Sequence, residues 1–287
     1  SPFISDAHIT VEPVVGEKDS VDLVVLVHDK WSIDVDGEGD LSSGSVRIRE
    51  RNFLGWGQAV EQQVGAVLGQ PEPLFSGSHQ VYNIRNSRIS SYASYSLSPN
   101  GDNLGFSLQR PFYSPLAKWA AGLSWGQGWS QYKVYDTEGA VLSSYPLSPA
   151  SLDIWGGRSF RLGSGTEPGS SNSNFVLAAR YAQTRYATRP PRAIDPEGQY
   201  SANSLFLIST GLSIRQYYKD RYIFRFGNSE DVPEGLLLTF TTGVDKRELT
   251  VNRPYLGAEV SRGRNYDNFG YLSADIAYGT FFQRREL

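Results

Sequence analysis

The chain has 287 residues, with 27 Lys and Arg against 30 Asp and Glu, so its formal net charge is −3. Such a balanced chain lacks the strongly basic field of nucleic-acid binders, which excludes nucleic acid as the expected partner. The absence of cysteine excludes disulfides and thiolate metal sites, and the lack of any run of about 18 apolar residues excludes helical membrane spans.

Residues 1–30 differ in pattern from the rest of the chain. Ile9 and Val11 alternate with polar neighbours, a polar turn follows at 13–19, and residues 21–27 read VDLVVLV, which is typical of a strand buried on both faces. About 30 residues cannot bury a core of their own. We therefore expect the final hairpin of a small soluble domain whose beginning lies outside the chain. Since the chain begins at Ser1 and contains no methionine, we also expect a mature or trimmed product.

The next two predicted strands, 31–40 and 43–54, carry opposite charges at period two, which places the charges of each strand on one face. We expect these faces to meet across the ladder inside a water-filled lumen. The acidic spacing also resembles a calcium loop, but the distal bidentate Glu is absent in register, so a metal site is not predicted. The charged residues are Asp34, Asp36, Glu38 and Asp40 on the first strand and Arg47, Arg49 and Arg51 on the second.

Alternation of apolar with small or polar residues continues in segments of about ten residues, the length of a membrane-crossing strand. It is clear in 104–108, 222–226 and 272–278. The further predicted strands are 58–68, 89–99, 103–113, 118–132, 152–162, 174–187, 205–219, 221–226, 236–248, 255–262 and 270–283. Polar segments rich in Pro, Ser and Gly are predicted loops, namely 70–87, 137–150, 163–173 and 188–203. The glycine-rich segments 126–128 and 163–169 are interpreted as loops. A phosphate-binding loop is not predicted, since neither segment follows a buried strand and begins a helix.

Catalytic chemistry is not predicted from this composition. The three histidines, His8, His28 and His79, fall in different segments without a partner at ligand spacing, so we expect no metal, no cofactor and no enzyme activity. Arg189 and Arg192 are interpreted as part of a solvated loop rather than as ligands of anionic lipid headgroups. The six tryptophans are interpreted as an interfacial belt rather than as soluble-core residues: Trp31, Trp56, Trp119, Trp125, Trp129 and Trp155.

Two segments in this order and spacing resemble the BamA/TamA-type superfamily of outer-membrane β-barrel assembly proteins. They are VDLVVLVHDKW at 21–31, similar to the end of a polypeptide-transport-associated (POTRA) domain, and RNFLGWGQ at 51–58. RPFYSPLAKWAAGLSW at 110–125 and FGNSEDVPEGLLLTFTTG at 226–243 are similar to Bacteroidetes-type members. The resemblance covers most of the chain, and it implies the end of a periplasmic POTRA-like domain at 1–30 and an outer-membrane barrel at 31–287.

The chain departs from the family at its far end. Family barrels have about sixteen strands and an inward loop tipped by Arg-Gly-Phe or Arg-Gly-Tyr, whereas Arg262-Gly263 is followed by Arg264 and the chain stops at RREL. The expected fold is all-β, an antiparallel transmembrane barrel made of the N-terminal and middle strands, with the closing strands outside this chain.

The resemblance implies a non-enzymatic protein in the outer membrane of a Gram-negative bacterium that assembles, inserts or translocates other envelope proteins. Its partners would be membrane lipid, unfolded outer-membrane protein clients and, as further candidates, accessory lipoproteins. An unpaired first strand in lipid must find a partner, so a client strand is expected to add there. The residues expected at this lateral seam are Trp31, Ser32, Ile33, Val35, Gly37 and Gly39. The residues of the family-motif turn are Asn52, Phe53, Leu54, Gly55 and Gly57.

Two alternatives remain open from the sequence. One is a passive outer-membrane barrel that transports small solutes or lipids, or anchors an upstream module. The other is a soluble multi-stranded β protein with lectin-like loops.

Overall fold

Nearly all of the chain that the structure describes is extended. The computed structural model describes residues 4–14, 20–70, 72–114, 116–162, 172–221, 229–266 and 269–282. The strands are β1 (Ile4–Pro13), β2 (Val21–Asp29), β3 (Ile33–Gly39), β4 (Ser43–Glu50), β5 (Gln58–Val67), β6 (Leu74–Val81), β7 (Ser90–Leu97), β8 (Gly101–Arg110), β9 (Trp119–Tyr135), β10 (Val141–Leu147), β11 (Pro149–Leu162), β12 (Asn172–Tyr186), β13 (Asn203–Arg221), β14 (Ser229–Arg247), β15 (Arg253–Tyr266) and β16 (Gly270–Phe281). Two 3-10 turns lie at Phe53–Gly55 and Ile84–Asn86. The all-β prediction is confirmed.

Among the described residues, none of the helical segments has the length and apolar character needed to cross a membrane.

The strands form two antiparallel sheets. β1 and β2 make a hairpin, and β3 to β16 make one continuous sheet in which each strand pairs with its sequence neighbour. β10 and β11 both pair with β9 in a single register, with Leu147 opposite Ser130 and Ala150 opposite Gln127. They are therefore two halves of one strand interrupted at Ser148. The larger sheet accordingly has thirteen strand positions from β3 to β16.

The two edges of this sheet are β3 and β16, and no pairing joins them within the described ranges. Since neighbours alternate in direction along thirteen positions, β3 and β16 run the same way. We call the end of the sheet where β3 begins the first rim, and the opposite end the second rim. Connections 51–57, 82–89 and 111–118 lie at the first rim, and connections 40–42, 98–100, 187–202 and 248–252 lie at the second.

One face of the larger sheet is apolar on every strand position. Cross-strand pairs such as Val35 with Ile48 and Val260 with Ile276 place the large apolar side chains on this side, which we call the apolar face. These side chains are exposed, for example 71% for Ile276. They include Ile33, Val46, Val64, Phe75, Leu104, Phe106, Ile154, Leu177, Phe206, Ile208, Phe240, Leu256 and Leu272.

The opposite face, the polar face, carries small, polar and charged residues. Among the described residues, the buried hydrophobic side chains are limited to Ala117, Ala120 and Val232. A sheet of this size normally buries one face against a second layer. Here the described strands β3 to β16 form a single layer, with polar side chains on one face and apolar side chains on the other.

Four sequence predictions need correction. Predicted loops 70–87 and 137–150 contain β6 and β10. Their serine-rich alternation and, in β10, an interior proline weaken the strand signal. The 126–128 segment lies within β9 rather than in a loop. Leu23, Val25 and Leu26 of β2 are exposed on the two-stranded hairpin of the described residues, and the burial of β2 within a larger domain stays a prediction.

The fourth correction concerns Trp155. It lies on the polar face, where a Cβ on Gly122 would overlap its indole nitrogen. This tryptophan therefore fills the space above a glycine instead of joining a belt on the apolar face. The predicted strand 221–226, with the alternation of Tyr222, Phe224 and Phe226 against Arg221 and Arg225, lies outside the described residues apart from the backbone of Arg221 in β13. The predicted glycine-rich loop 163–169 also lies outside them.

Candidate functional site at the free edge of β3

The backbone of β3 has an unpaired edge in the described part of the chain. At the ends of the β3–β4 ladder, the Arg51 N–H donates to the Ser32 carbonyl at 2.7 Å and the Asp40 N–H donates to the Ser43 carbonyl at 2.8 Å. Bonded residues alternate along an antiparallel strand, so the even-numbered residues of β3 bond to β4. The odd-numbered residues direct their N–H and C=O groups away from the sheet, and they are Ile33, Val35, Gly37 and Gly39.

Apolar side chains and two glycines lie along this edge. Ile33 and Val35 lie on the apolar face, with Val35 66% exposed, and Trp31 precedes the strand and is also exposed. Gly37 has room for a side chain, since an added Cβ would be 3.9 Å from the Ser45 carbonyl oxygen, an ordinary contact. Gly39 is tighter, with its added Cβ 3.2 Å from the Ser43 carbonyl oxygen. Glycine at 37 is therefore not required by fit, and it weakens the edge strand.

The predicted acidic and basic residues of β3 and β4 lie together on the polar face. Arg47 is 3.6 Å from Asp36, and Arg51 forms an ion pair with Asp34. Arg49 instead reaches the other neighbour and pairs with Glu61 of β5, a partner that sequence reasoning missed. The three arginines thus tie β4 to both β3 and β5.

Asp40 lies outside this ladder, although it belongs to the same acidic series. Its carboxylate accepts hydrogen bonds from the Ser42 and Ser43 N–H groups, each at 2.7 Å, and from the Ser42 hydroxyl at 2.8 Å. These bonds lower the pKa of Asp40, with the Ser42 N–H as the largest cause. Asp40 therefore closes the β3–β4 turn.

The family-motif turn is held by one side chain. The Asn52 carboxamide oxygen accepts the Gly57 N–H at 2.9 Å, and the chain between them takes positive φ at Leu54 (52°), Gly55 (77°) and Gly57 (68°). Glycine suits this left-handed region, whereas Leu54 is strained in it. Phe53 and Trp56 are exposed beside the turn.

The same turn recurs at the first rim between β6 and β7. Asn83 accepts the Arg88 N–H at 2.8 Å, and φ is positive at Arg85 (47°), Asn86 (60°) and Arg88 (62°). Sequence reasoning missed this repeat because the shared signal is a single asparagine, and arginines stand where the first turn has leucine and glycine.

Arg85→Gly is expected to stabilise the protein by about 0.5–1 kcal/mol, because it relieves left-handed strain. Gly55→Ala in the matching turn is expected to destabilise by about 1 kcal/mol, although an added Cβ meets open space there. Urea unfolding of both variants in lipid vesicles measures the two shifts. If both variants changed the free energy of unfolding by the same amount in the same direction, the two turns would not share this left-handed geometry.

At the second rim, the connection 187–202 is tied to the turn at 248. Arg189 makes two hydrogen bonds to the Glu248 carboxylate, at 2.7 and 2.9 Å, and the Ala202 N–H donates to the same group at 3.0 Å. Asp195 accepts the Gln199 and Tyr200 N–H groups. Arg189 is thus engaged within the protein, whereas Arg192 is exposed.

The Arg189 side chain, followed by the Ala202 N–H, lowers the pKa of Glu248 from 4.5 to about 2. A depressed carboxyl pKa stabilises the fold fully above pH 4.5, and this contribution is lost as the pH falls towards 2. NMR titration of the Glu248 carboxyl is expected to give a midpoint near pH 2, and Arg189→Gln is expected to move it upward. A midpoint near 4.5 in the unaltered chain would mean that the clamp does not form.

No known family and no curated protein matches the chain. Among solved structures, the chain is similar to a crystal structure of BamA from Haemophilus ducreyi lacking POTRA domains 1–3, with 9% identity over 98% of this chain and 73% of that chain. The TM-score is 0.32, so this likeness does not establish the family, and the all-β antiparallel fold rests on the chain's own strand pairing.

Proposed function

We propose that the chain is an outer-membrane β-barrel protein that inserts or translocates other envelope proteins through a seam at β3. The observation that carries the membrane assignment is the apolar face, which remains exposed across every strand position. Burying a Val, Leu, Ile or Phe side chain contributes about 1.5–3 kcal/mol. Hydrocarbon would supply that burial, while lumen water would solvate the polar face.

The strand lengths suit a membrane, and they vary around the sheet. β9 has 17 residues and β13 and β14 have 19 each, which exceeds the roughly 9–11 residues that a tilted strand needs. β3 has 7 residues and β4 has 8. A narrower apolar band beside β3 would thin the bilayer at that edge, which lowers the barrier to inserting another strand there.

The free edge supports the insertion role. The odd-numbered residues of β3 would present N–H and C=O groups to lipid, where each unsatisfied group costs several kcal/mol. A client strand that pairs with them removes this penalty without any covalent chemistry. Gly37 and Gly39 would keep the pairing weak enough for the client to leave.

Single cysteines test the seam, because the chain has none of its own. Val35→Cys, next to the free edge, is expected to form a disulfide with a cysteine placed in the terminal strand of a stalled client. Leu123→Cys, on the apolar face in the middle of the sheet, is the matched control and is expected to give none. If cross-links formed only at positions away from β3, the proposed insertion seam at β3 would be wrong.

Depletion in cells separates the insertase from a passive barrel. Loss of an insertase lowers many unrelated outer-membrane proteins together, whereas loss of a transporter or an anchor affects one uptake process or one attached activity. A chain that stays in aqueous buffer without detergent would contradict both membrane roles.

A further inference from the structure

Arginine and aromatic side chains stack on one another at the first rim. The Arg88 guanidinium carbon lies 3.8 Å from the centre of the Tyr113 ring, and that of Arg110 lies 5.0 Å from the same centre and 3.7 Å from the Trp119 ring centre. Arg158 of β11 is directly opposite Trp119 in the ladder. We call these five residues the arginine–aromatic cluster.

The cluster lies on the apolar side of the sheet near the first rim. Arg110 ends the alternation of Leu104, Phe106 and Leu108 along β8, and Arg158 lies between Ile154 and Phe160 on the same side of β11. Tyr113 and Trp119 are 41% and 43% exposed. Aromatic residues in this position at a strand end are typical of the headgroup level of a bilayer.

The arginines of the cluster differ electrostatically from those that lie beside carboxylates. Arg47, Arg49, Arg51, Arg180, Arg189 and Arg253 each pair with a carboxylate. Within the described ranges, no ion pair joins Arg88, Arg110 or Arg158 to a carboxylate. Arg110 is anchored by hydrogen bonds to the Trp119 carbonyl and, at 3.5 Å, to the Tyr113 hydroxyl, while Arg88 and Arg158 are exposed.

We propose that this cluster binds the phosphodiester of an anionic lipid headgroup, an inference that rests on the proposed membrane function. The Arg88 guanidinium, stacked on the Tyr113 ring, keeps its in-plane N–H groups available, and their fork matches two phosphate oxygens. Three cations without carboxylate partners at headgroup height leave a positive site that a lipid phosphate neutralises. Leu108 and Ile154 on the adjoining apolar face would contact the acyl chains.

The first rim also determines which leaflet supplies the lipid. β3 begins at this rim, directly after the β1–β2 hairpin. If residues 1–30 are periplasmic, the cluster faces the inner leaflet of the outer membrane, so its ligand is a phospholipid.

The test uses the whole chain refolded in neutral detergent micelles. Native mass spectrometry counts bound lipid during titration with phosphatidylglycerol, phosphatidylcholine or inorganic phosphate. Arg88→Gln and Arg158→Gln are each expected to weaken phosphatidylglycerol binding about five-fold, the effect of about 1 kcal/mol per basic residue. Arg110→Lys is expected to weaken it as well while keeping the charge, because lysine lacks the planar group that stacks on both rings and hydrogen-bonds to Trp119 and Tyr113, which holds the cluster together. Arg192→Gln, an equal change of charge in the exposed second-rim connection, is the control and is expected to have no effect.

The outcomes separate the two proposals. If the chain enters micelles but Arg88→Gln and Arg158→Gln bind phosphatidylglycerol as tightly as the unaltered chain, the lipid site is wrong while the membrane assignment stands. Equal binding of phosphatidylcholine overturns the preference for anionic lipid, and binding of inorganic phosphate as tight as that of phosphatidylglycerol overturns the lipid as the source. If the chain needs no detergent, the membrane function itself is wrong.

Discussion

Ile208→Lys is expected to destabilise the membrane-inserted protein by about 2–4 kcal/mol, the cost of a lysine on the lipid face near the bilayer midplane. Ile208 lies on the apolar face of β13 and is 56% exposed. In a water-soluble protein, such an exposed side chain would tolerate lysine with a change within about 0.5 kcal/mol. The free energy of unfolding from lipid vesicles, measured by urea titration, distinguishes the two cases.

Ser209→Lys is the matched control, because the next residue of the strand points to the polar face. Its hydroxyl is 2.8 Å from that of Thr241, so its replacement is expected to cost only about 1 kcal/mol, the value of one hydrogen bond. A larger loss for Ser209→Lys than for Ile208→Lys would reverse the assignment of the two faces.

Asp245→Ala is expected to destabilise the protein by about 2–4 kcal/mol. Asp245 is 2% exposed, lies 2.7 Å from Arg253 and 3.8 Å from Arg247, and accepts a hydrogen bond from Asn203. Removing one partner of a buried ion pair leaves an uncompensated charge, which costs about 3–5 kcal/mol, and partial exposure of both arginines reduces that figure. The expected signature is a lower urea midpoint with an unchanged slope.

Asp153→Ala provides the comparison for the Asp245 variant. Asp153 pairs with Arg180, whose side chain is more exposed than that of Arg253, so its loss is expected to cost about 1 kcal/mol or less. Similar losses for the two variants would show that burial of Asp245 does not set the strength of its contacts.

The period-two alternation predicted most of the fold because each strand meets two different environments. Leu272 and Ile276 lie on the exposed apolar face, as their spacing indicates. The same rule failed for β6 and β10, where serine and glycine fill the positions that larger apolar residues occupy elsewhere. Small residues carry little information about which side they face.

Sequence reasoning predicted the candidate site in part. It placed Asp34 and Asp36 opposite the arginines of β4, since a two-residue period fixes the facing side chains. It did not predict that Arg49 pairs with Glu61, because an arginine between two acidic strands has partners on both sides and the sequence does not rank them. The arginine–aromatic cluster was also missed, since its members come from two connections and three strands.

Within the described residues, the two edge strands of the sheet run in the same direction, and this limits the strands that can bridge them, whether from this protein or from another. If β3 and β16 were brought directly together, they would form a parallel pair, unlike every other neighbour in the sheet. A single added strand that is antiparallel to β3 would be antiparallel to β16 as well. One such strand could therefore pair with both edge strands at once. An odd number of added strands keeps every neighbouring pair antiparallel, whereas an even number leaves one pair parallel.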